Sequence, residues 1–580
     1  MNKQLIRRLV TSLVIVLTLH AAVFAQNKTQ NKTPTKAAKI DEVLRTARRY
    51  RLFNGSALVA EEGKVIFRKG VGLANMEWNI PNTPDTRFRL GSITKQFTAA
   101  LILQLVEQGK IKLDGKISAY LPSYRKDTGE KVTVHQLLNH TSGIPSYTSL
   151  AGFIADVSRD PFTVDEFVKK YASNNLEFEP GSKFSYNNSG YFLLGAIIEK
   201  VTGQTYENVL KEKILDPLGM KNTGYDHHGP ILEKRASGYQ KIGEGYVNAA
   251  YLDMSIPYAA GSMYSTVDDL YLWDQALYTE RVLSSQSKEL MFKPNLSDYA
   301  YGWIVTKARF GTQTIPEITH GGGINGFSTL IVRFPVQKHL IVLLDNTSQG
   351  GSLDGLSREL THILFNQPYD LPKIPVADVL LKTIEDKGID AGVAQYRELK
   401  TRQKILYDVS EAEINRLGYQ LLQARKLNEA VEIFKLNVVE HPQGFNTYDS
   451  LGEAYMVSGK NDLAIQNYKK SLELNPQNTN AGEMLKRLEN KAAAVDPKIY
   501  DAYVGQYEVT PSFMVVVYKE GDRLMTQATG QPPFELFPEA EDKFFLRVVN
   551  AKVTFTKEQG LVTGLVIHQG GRDMPGKKVK

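Results

Sequence analysis

The sequence predicts a mixed α/β (α+β) region with an antiparallel sheet flanked by helices, then paired α-helices, then a small antiparallel β domain. Three observations carry this. Up to Gln367, short strand-like runs such as residues 56–60 and 339–344 alternate with helical stretches, one of them apolar all round. After Pro368 and Pro372 the chain turns helical and repeats itself at a spacing of 34 residues. From Pro497 short alternating strands are separated by Gly, Pro and Asp turns.

A chain of 580 residues is too long for one core, and its length suggests three or four domains. With 42% hydrophobic and 23% charged residues, disorder and a multi-spanning membrane protein are poor readings. The net charge of +7 is small for this length, and no basic run is interleaved with aromatics, so no nucleic-acid partner is expected. There is no cysteine, which excludes disulfides, thiol catalysis, cysteine-ligated metal and a lipid on an N-terminal Cys. Residues 1–25 read as a secretory signal: Lys3, Arg7 and Arg8, an apolar run over 9–19, then Val23-Phe24-Ala25 ending on a small residue. The expectation is an exported protein, periplasmic or secreted, with an uncleaved anchor as the alternative. Residues 26–37 are a polar, low-complexity lead-in.

Residues 40–50 have helical amphipathicity. Residues 56–60 and 64–68 read as a hairpin about Glu62-Gly63. Next comes Arg89-Leu90-Gly91-Ser92-Ile93-Thr94-Lys95, leading into helix formers over 96–108 that Gly109 stops. Ser92 and Lys95 are three apart and share a helix face. The helix carries consecutive apolar residues at 99–103 and reads as buried, which packing alone does not reconcile with a serine and a lysine at its start. An activated nucleophile does: the amine takes the hydroxyl proton and the helix dipole favours the alkoxide.

Thr163 and Glu166 have capping-box spacing before a helix over 163–172. Tyr186 and Asn188 lie in a turn-rich loop ahead of an apolar helix over 191–201 that Gly203 closes. Two apart in a loop, a phenol and a carboxamide can point into one cavity, although Tyr-Asn-Asn-Ser-Gly is also plain turn chemistry. His320-Gly321-Gly322-Gly323 precedes strand-like residues 329–333 and 339–344. Glycines at the end of a strand let a backbone or a substrate approach closely.

Taken in order, Ser92-x-x-Lys95, Tyr186-x-Asn188 and His320-x-Gly322 resemble the penicillin-recognising serine hydrolases, the branch of class C β-lactamases, D,D-peptidases, D-aminopeptidases and related esterases. The surroundings LLNHTSGIP, EPGSKFSYNNSGYFLLGAIIEKVTG, DPLGMKNTGY and AAGSMYSTVDDLYLW resemble that family too, and the likeness covers residues 38–367. It implies a serine β-lactamase-like fold, the sheet and its helices joined by an all-helical domain. It implies an acyl-enzyme on Ser92, with Lys95 and Tyr186 sharing the proton transfers and either one able to be the base. Asn188 would contact the acyl side chain and steady the lysine. His320 and Gly322 would border the substrate, and the N–H groups of Ser92 and Gly323 would hold the oxyanion. Typical class C β-lactamases carry lysine where this chain has His320. A histidine is mostly neutral at pH 7, which tilts the reading toward peptidase, aminopeptidase or esterase action with weak β-lactamase activity.

The chain has no G-x-S-x-G elbow, no H-E-x-x-H and no complete G-x-x-x-x-G-K-[ST] loop, since Gly571 to Lys577 is followed by Lys578, so other hydrolase, metal and phosphate chemistries fare poorly. Asp226-His227-His228 sits in a Gly/Pro-bounded loop and reads as no metal site; no cofactor is expected.

Residues 368–410 read as a helical linker, with one helix over 377–401. Leu417-Gly418 recurs as Leu451-Gly452, Ala430 as Ala464, Phe434 as Tyr468 and Pro442 as Pro476, each 34 residues on. Residues 411–492 thus resemble tetratricopeptide repeats, with residues 481–488 as a cap. They imply either a site for a protein partner or a rigid spacer. Six strands are read in residues 497–580, over 504–508, 513–518, 523–528, 544–549, 552–556 and 562–568. That segment resembles the lipocalin-like C-terminal domain appended to some of these hydrolases. The rival to an exported serine hydrolase is a catalytically silent, hydrolase-like sensor whose repeats recruit a partner.

Overall fold

The computed structural model describes residues 34–580 apart from 151–152, 154–156, 244, 312, 349–352, 404, 491, 512 and 570–571. The expected signal and most of the lead-in lie outside the described residues. The lead-in ends sooner than the sequence suggests. Helix α1 (Lys36–Arg49) opens at Lys36 because Thr35 caps it, its hydroxyl accepting the Ala38 N–H. Lys36 is then held by the Glu61 carboxylate and the Leu364 carbonyl.

Strands β1 (Gly55–Glu61) and β2 (Lys64–Val71) form the expected hairpin. Glu62 and Gly63 both have positive φ, 50° and 76°, the turn geometry that matches strand twist. A 3₁₀ turn at Gly91–Ile93 feeds α2 (Thr94–Glu107), which is buried on nearly every side. Helix α3 (Val164–Tyr171) carries the Thr163/Glu166 capping box, and α4 (Asn188–Thr202) ends at Gly203, φ 71°. Helix α5 (Val267–Ala276) precedes four strands: β3 (Ile304–Phe310), β4 (Gln313–Ile324), β5 (Phe327–Phe334) and β6 (His339–Asp345). Helix α6 (Asp354–Leu364) follows.

The sheet order is β3-β4-β5-β6-β1-β2, antiparallel throughout. Pairing of β1 with β6 joins the two ends of the region. The sheet's period-two pattern serves two cores at once. Ala57, Val59, Ile341 and Leu343 pack under α1 and α6. Leu58, Ala60, Val342 and Leu344 pack against α2, α4 and α5. Both faces being covered explains why residues 339–344 read as one continuous apolar run.

The charge in this interior is neutralised. Arg333 on β5 is 1% exposed, and its Nε lies 2.5 Å from Asp274 Oδ1 at the end of α5. Tyr278, Phe292 and Trp303 rings surround the guanidinium at 5.1–5.6 Å. Burial pushes the Asp274 carboxyl above its ordinary value, and Arg333 opposes that.

In place of one helix over 377–401 there are two, α7 (Val376–Lys387) and α8 (Ile389–Arg402). Gly388, at φ 88° and ψ 171°, breaks them. They are also more than a linker, since Leu380, Ile384 and Tyr396 share a core with Leu417 and Phe434. Five helices follow: α9 (Glu411–Gln423), α10 (Leu427–Glu440), α11 (Phe445–Val457), α12 (Asn461–Leu474) and α13 (Thr479–Leu488). The 34-residue spacing has a packing cause. A Cβ on Gly418 would lie 2.5 Å from the Phe434 ring, and one on Gly452 would lie 3.1 Å from the Tyr468 ring. The same glycine-to-ring crossing is made twice.

The last region is a closed barrel of eight strands rather than six: β7 (Gly505–Thr510), β8 (Phe513–Glu520), β9 (Arg523–Ala528), β10 (Phe534–Pro538), β11 (Lys543–Phe545), β12 (Ala551–Glu558), β13 (Leu561–Gln569) and β14 (Arg572–Lys578). The unforeseen strands are β10, bounded by Pro533 and Pro538, and β14, which contains Pro575-Gly576; their prolines read as turns. Strand β14 closes the barrel on β7. Tyr503, Tyr507, Phe544 and Phe555 are buried in its core, Tyr503 stacked on Phe555 at 4.3 Å.

Replacing Asp274 with Ala strands a buried guanidinium. We expect a loss of about 3–5 kcal/mol, measured by urea unfolding, whereas the exposed pair Lys382–Asp386 is expected to contribute under about 1 kcal/mol.

Candidate active site

The site is built where α2, α4 and β4 meet. Leu90 N–H donates to Met263 O at 2.8 Å, which pins the segment before the 3₁₀ turn. Gly91 has φ 56°, and a Cβ there would lie 2.9 Å from Gly323 O, so the turn presses directly on β4. Ser92 is half-buried on this turn at the positive end of α2. Lys95, in the first turn of α2, is 0% exposed. Its Nζ lies 3.0 Å from Ser92 Oγ and donates to Asn188 Oδ1 and Ala260 O, each at 2.8 Å. All three partners are neutral oxygens. Desolvation therefore pushes the Lys95 pKa well below its ordinary value.

Tyr186 and Asn188 flank Asn187, the cap of α4, whose Oδ1 accepts the Gly190 N–H at 2.8 Å. Asn188 therefore belongs to the helix rather than to the loop. Its N–H donates to Ser146 Oγ at 3.1 Å and its Nδ2 to Thr148 Oγ1 at 3.2 Å, which leaves Oδ1 for Lys95. Tyr186 is 38% exposed as a residue, but its hydroxyl end is buried beside Ser92. Burial pushes its pKa up, and a hydrogen bond with Ser92 partly opposes this.

The segment 320–323 precedes β5 and β6 as read from the sequence, and it lies itself within a strand, β4. Strand β3 pairs with β4 only as far as Thr319, so His320–Ile324 are paired with β5 alone and leave one edge for the Ser92 turn. Gly322 makes that approach possible, because a Cβ there would lie 2.0 Å from Leu90 O. Thr329 Oγ1 donates to the same carbonyl at 2.7 Å. His320 Nδ1 lies 2.6 Å from Gly321 O, which only accepts, so Nδ1 carries the proton. Nε2 then accepts from the Tyr299 hydroxyl at 2.9 Å. Burial, with Lys95 nearby, pushes the His320 pKa down to about 4. The ring is neutral and both its nitrogens are occupied.

Ser92, Asn188 and Gly323 open onto one cavity of about 190 Å³, whose walls include Tyr147, Leu252, Ile256 and Ile324. No charged side chain lines it among the described residues. Gly322 sits behind this wall in the packing against Leu90. Asp226, His227 and His228 do not converge. Asp226 is held between Arg89 and Arg235, at 2.6 and 2.8 Å, while His227 pairs with Glu207.

Sequence reasoning missed the Ala260 carbonyl, Tyr299 and His140. A backbone carbonyl has no side-chain signature. Tyr299 and His140 stand in segments that carry no motif among the three.

Residues 36–363 match the family model described as Beta-lactamase, more than half of the chain, and the chain belongs to that family. It is accordingly a serine hydrolase with a β-lactamase-like α/β fold. Residues 489–578 match a domain of unknown function, DUF3471. Penicillin-binding protein 4* of Bacillus subtilis (strain 168) is 25% identical over 558 residues, 91% of this chain and 95% of that one. Teichoic acid D-alanine hydrolase of Staphylococcus aureus is 31% identical over 275 residues, 46% of this chain and 65% of that one. The octameric penicillin-binding protein homologue from Pyrococcus abyssi superposes with a TM-score of 0.50 at 22% identity, over 93% of this chain and 99% of that one; this likeness concerns the fold alone.

Gly322→Ala should push β4 off the nucleophile turn. The expected result is loss of covalent labelling of Ser92 by a fluorophosphonate, with the variant still folded by circular dichroism. Gly321→Ala, where a Cβ meets nothing closer than 3.6 Å, should label normally.

Proposed function

We propose that the chain hydrolyses an amide or ester whose leaving group bears no carboxylate, through a Ser92 acyl-enzyme, in the manner of a D-aminopeptidase or esterase. The coordination of Lys95 carries this reading. A neutral amine has two N–H groups and one lone pair. The Asn188 Oδ1 and Ala260 O atoms can only accept, so they use both N–H groups and turn the lone pair to the Ser92 hydroxyl. Lys95 is then the base that takes the Ser92 proton, and burial holds it in the neutral form this needs. Ser92 Oγ attacks the acyl carbonyl, whose oxygen is held by the N–H groups of Ser92 and Gly323. Tyr186 keeps its proton at neutral pH because its pKa is raised. It protonates the leaving group and is replenished from Lys95. A water repeats the sequence to release the acyl group.

The substrate class follows from charge. His320 is neutral and has no free nitrogen, and the cavity lining bears no charge, so nothing there recompenses a leaving-group carboxylate for lost water. The relative named a teichoic acid D-alanine hydrolase supports a D-alanyl ester or amide as acyl donor. Residues 1–25 support export, with action on material outside the cytoplasm; among the described residues no helix is long and apolar enough to cross a membrane. The recurring crossings at Gly418 and Gly452 support a tetratricopeptide reading of α9–α13, as a partner site or a spacer. The filled core of the barrel supports a stabilising domain over a lipocalin-like ligand carrier.

The test is a panel of p-nitrophenyl esters, D-alanine amide, a D-Ala-D-Ala peptide and a cephalosporin, with intact-mass detection of the acyl-enzyme. Donors without a leaving-group carboxylate should acylate wild type and fail on Ser92→Ala, with the D-Ala-D-Ala peptide and the cephalosporin slow. Acylation independent of Ser92 would sink the chemistry, and cephalosporin turnover equal to that of the esters would overturn the role given to His320. The kcat/KM profile should rise with pH through a group titrating below the ordinary lysine value of 10.5 and then hold flat through pH 9. A rate that climbs only above pH 10 would instead make the Tyr186 phenolate the base.

A further inference from the structure

His140, in the stretch Leu138-Asn139-His140-Thr141, is used by no step above, yet it touches the catalytic loop from both sides. Its carbonyl accepts the Ser185 N–H at 2.9 Å, and its Nδ1 accepts the Asn187 N–H at 3.1 Å. Tyr186 stands between those two donors. The imidazole also packs on the Tyr186 ring at 4.3 Å and on the Tyr299 ring at 4.5 Å, the same Tyr299 that donates to His320. The side chain is 0% exposed, and its backbone adopts φ 61°, a left-handed conformation that is uncommon outside glycine, asparagine, aspartate and histidine.

We infer that His140 is the positioning residue for Tyr186, clamping the backbone on either side of it and fixing its ring so that the hydroxyl reaches Ser92. This rests on the role given to Tyr186 above. Three features argue that the residue is there for the clamp rather than to fill space. Its backbone is in a conformation most residues avoid. Nε2 is buried without a hydrogen-bond partner among the described residues, a cost an apolar side chain would not incur. Nδ1 accepts from an N–H, so the proton sits on Nε2 and the ring is neutral. Burial beside Lys95 and His320 pushes its pKa well down and keeps it so.

The clamp has two separable parts, an acceptor and a ring. His140→Asn keeps an acceptor oxygen near the Nδ1 position and tolerates positive φ, but lacks the ring. His140→Phe keeps a ring and leaves the buried Asn187 N–H unpaired. With a p-nitrophenyl ester, His140→Phe should lower kcat about a hundredfold with KM near wild type, the scale expected for a misplaced catalytic group. His140→Asn should recover most of that loss although it removes more packing, and thermal unfolding of both variants shows whether kcat merely follows stability. A wild-type kcat for His140→Phe, a raised KM instead of a lowered kcat, or an Asn variant as slow as Tyr186→Phe would overturn the inference. Should the Phe variant not fold, the Asn variant alone decides by the last criterion. Tyr186→Phe separates the two levels: if it is inactive while His140→Phe is normal, only the positioning role falls; if it is fully active, the role of Tyr186 falls and the positioning role with it.

Discussion

The burial of the Lys95 amine is the constraint around which the rest of the site is arranged. An ammonium ion with no carboxylate partner cannot stay charged cheaply in an apolar interior, so the group is driven toward the neutral amine. The Asn188 side chain and the Ala260 carbonyl occupy its donors, and each comes from a different part of the chain. The lone pair is left for the Ser92 hydroxyl. One lysine thus requires the start of α4, the segment before α5 and the start of α2 to converge within hydrogen-bond reach.

That convergence needs a rigid support, and the sheet supplies it. Strand β4 outruns β3 by the residues that border the Ser92 turn, and Gly322 lets its backbone press on Leu90. Behind the strand, β5 carries Thr329, which ties to Leu90, and Arg333, which ties to Asp274 on α5. The same strand therefore connects the active-site edge with the helices packed on one face of the sheet. The left-handed residues at Gly91 and His140 lie where backbone segments must pass close to one another.

The two appended regions are self-contained by comparison. Helices α7–α13 share one core, and the barrel has its own aromatic core. Direct polar ties between the helical region and the hydrolase region exist, notably Asp378 between Lys241 and Arg416 and the exposed Lys183–Glu483 pair near the Tyr186 loop. The exposed pair is too screened to hold the loop by itself.

By itself the sequence determined the types and order of the candidate site groups, because Ser92, Lys95, Tyr186, Asn188 and His320 stand in short local patterns. It determined the period of the helical repeat, because a glycine facing a ring recurs in register. It also determined the hairpin at Glu62-Gly63 and the capping box at Thr163. What it left open were long-range matters. Gly321, Gly322 and Gly323 read as strand-end glycines open to a close approach, and only the contact with Leu90 shows which backbone makes it. Strands β10 and β14 carry prolines that argue against a strand until barrel closure supplies their partners. The Ala260 carbonyl, Tyr299 and the clamp by His140 could not be read at all, since they act through backbone atoms or ring contacts between residues distant along the chain. Which groups are candidates for the chemistry is thus a local property of this chain; how they are charged and aimed is decided by burial and by which neutral partners the fold brings to them.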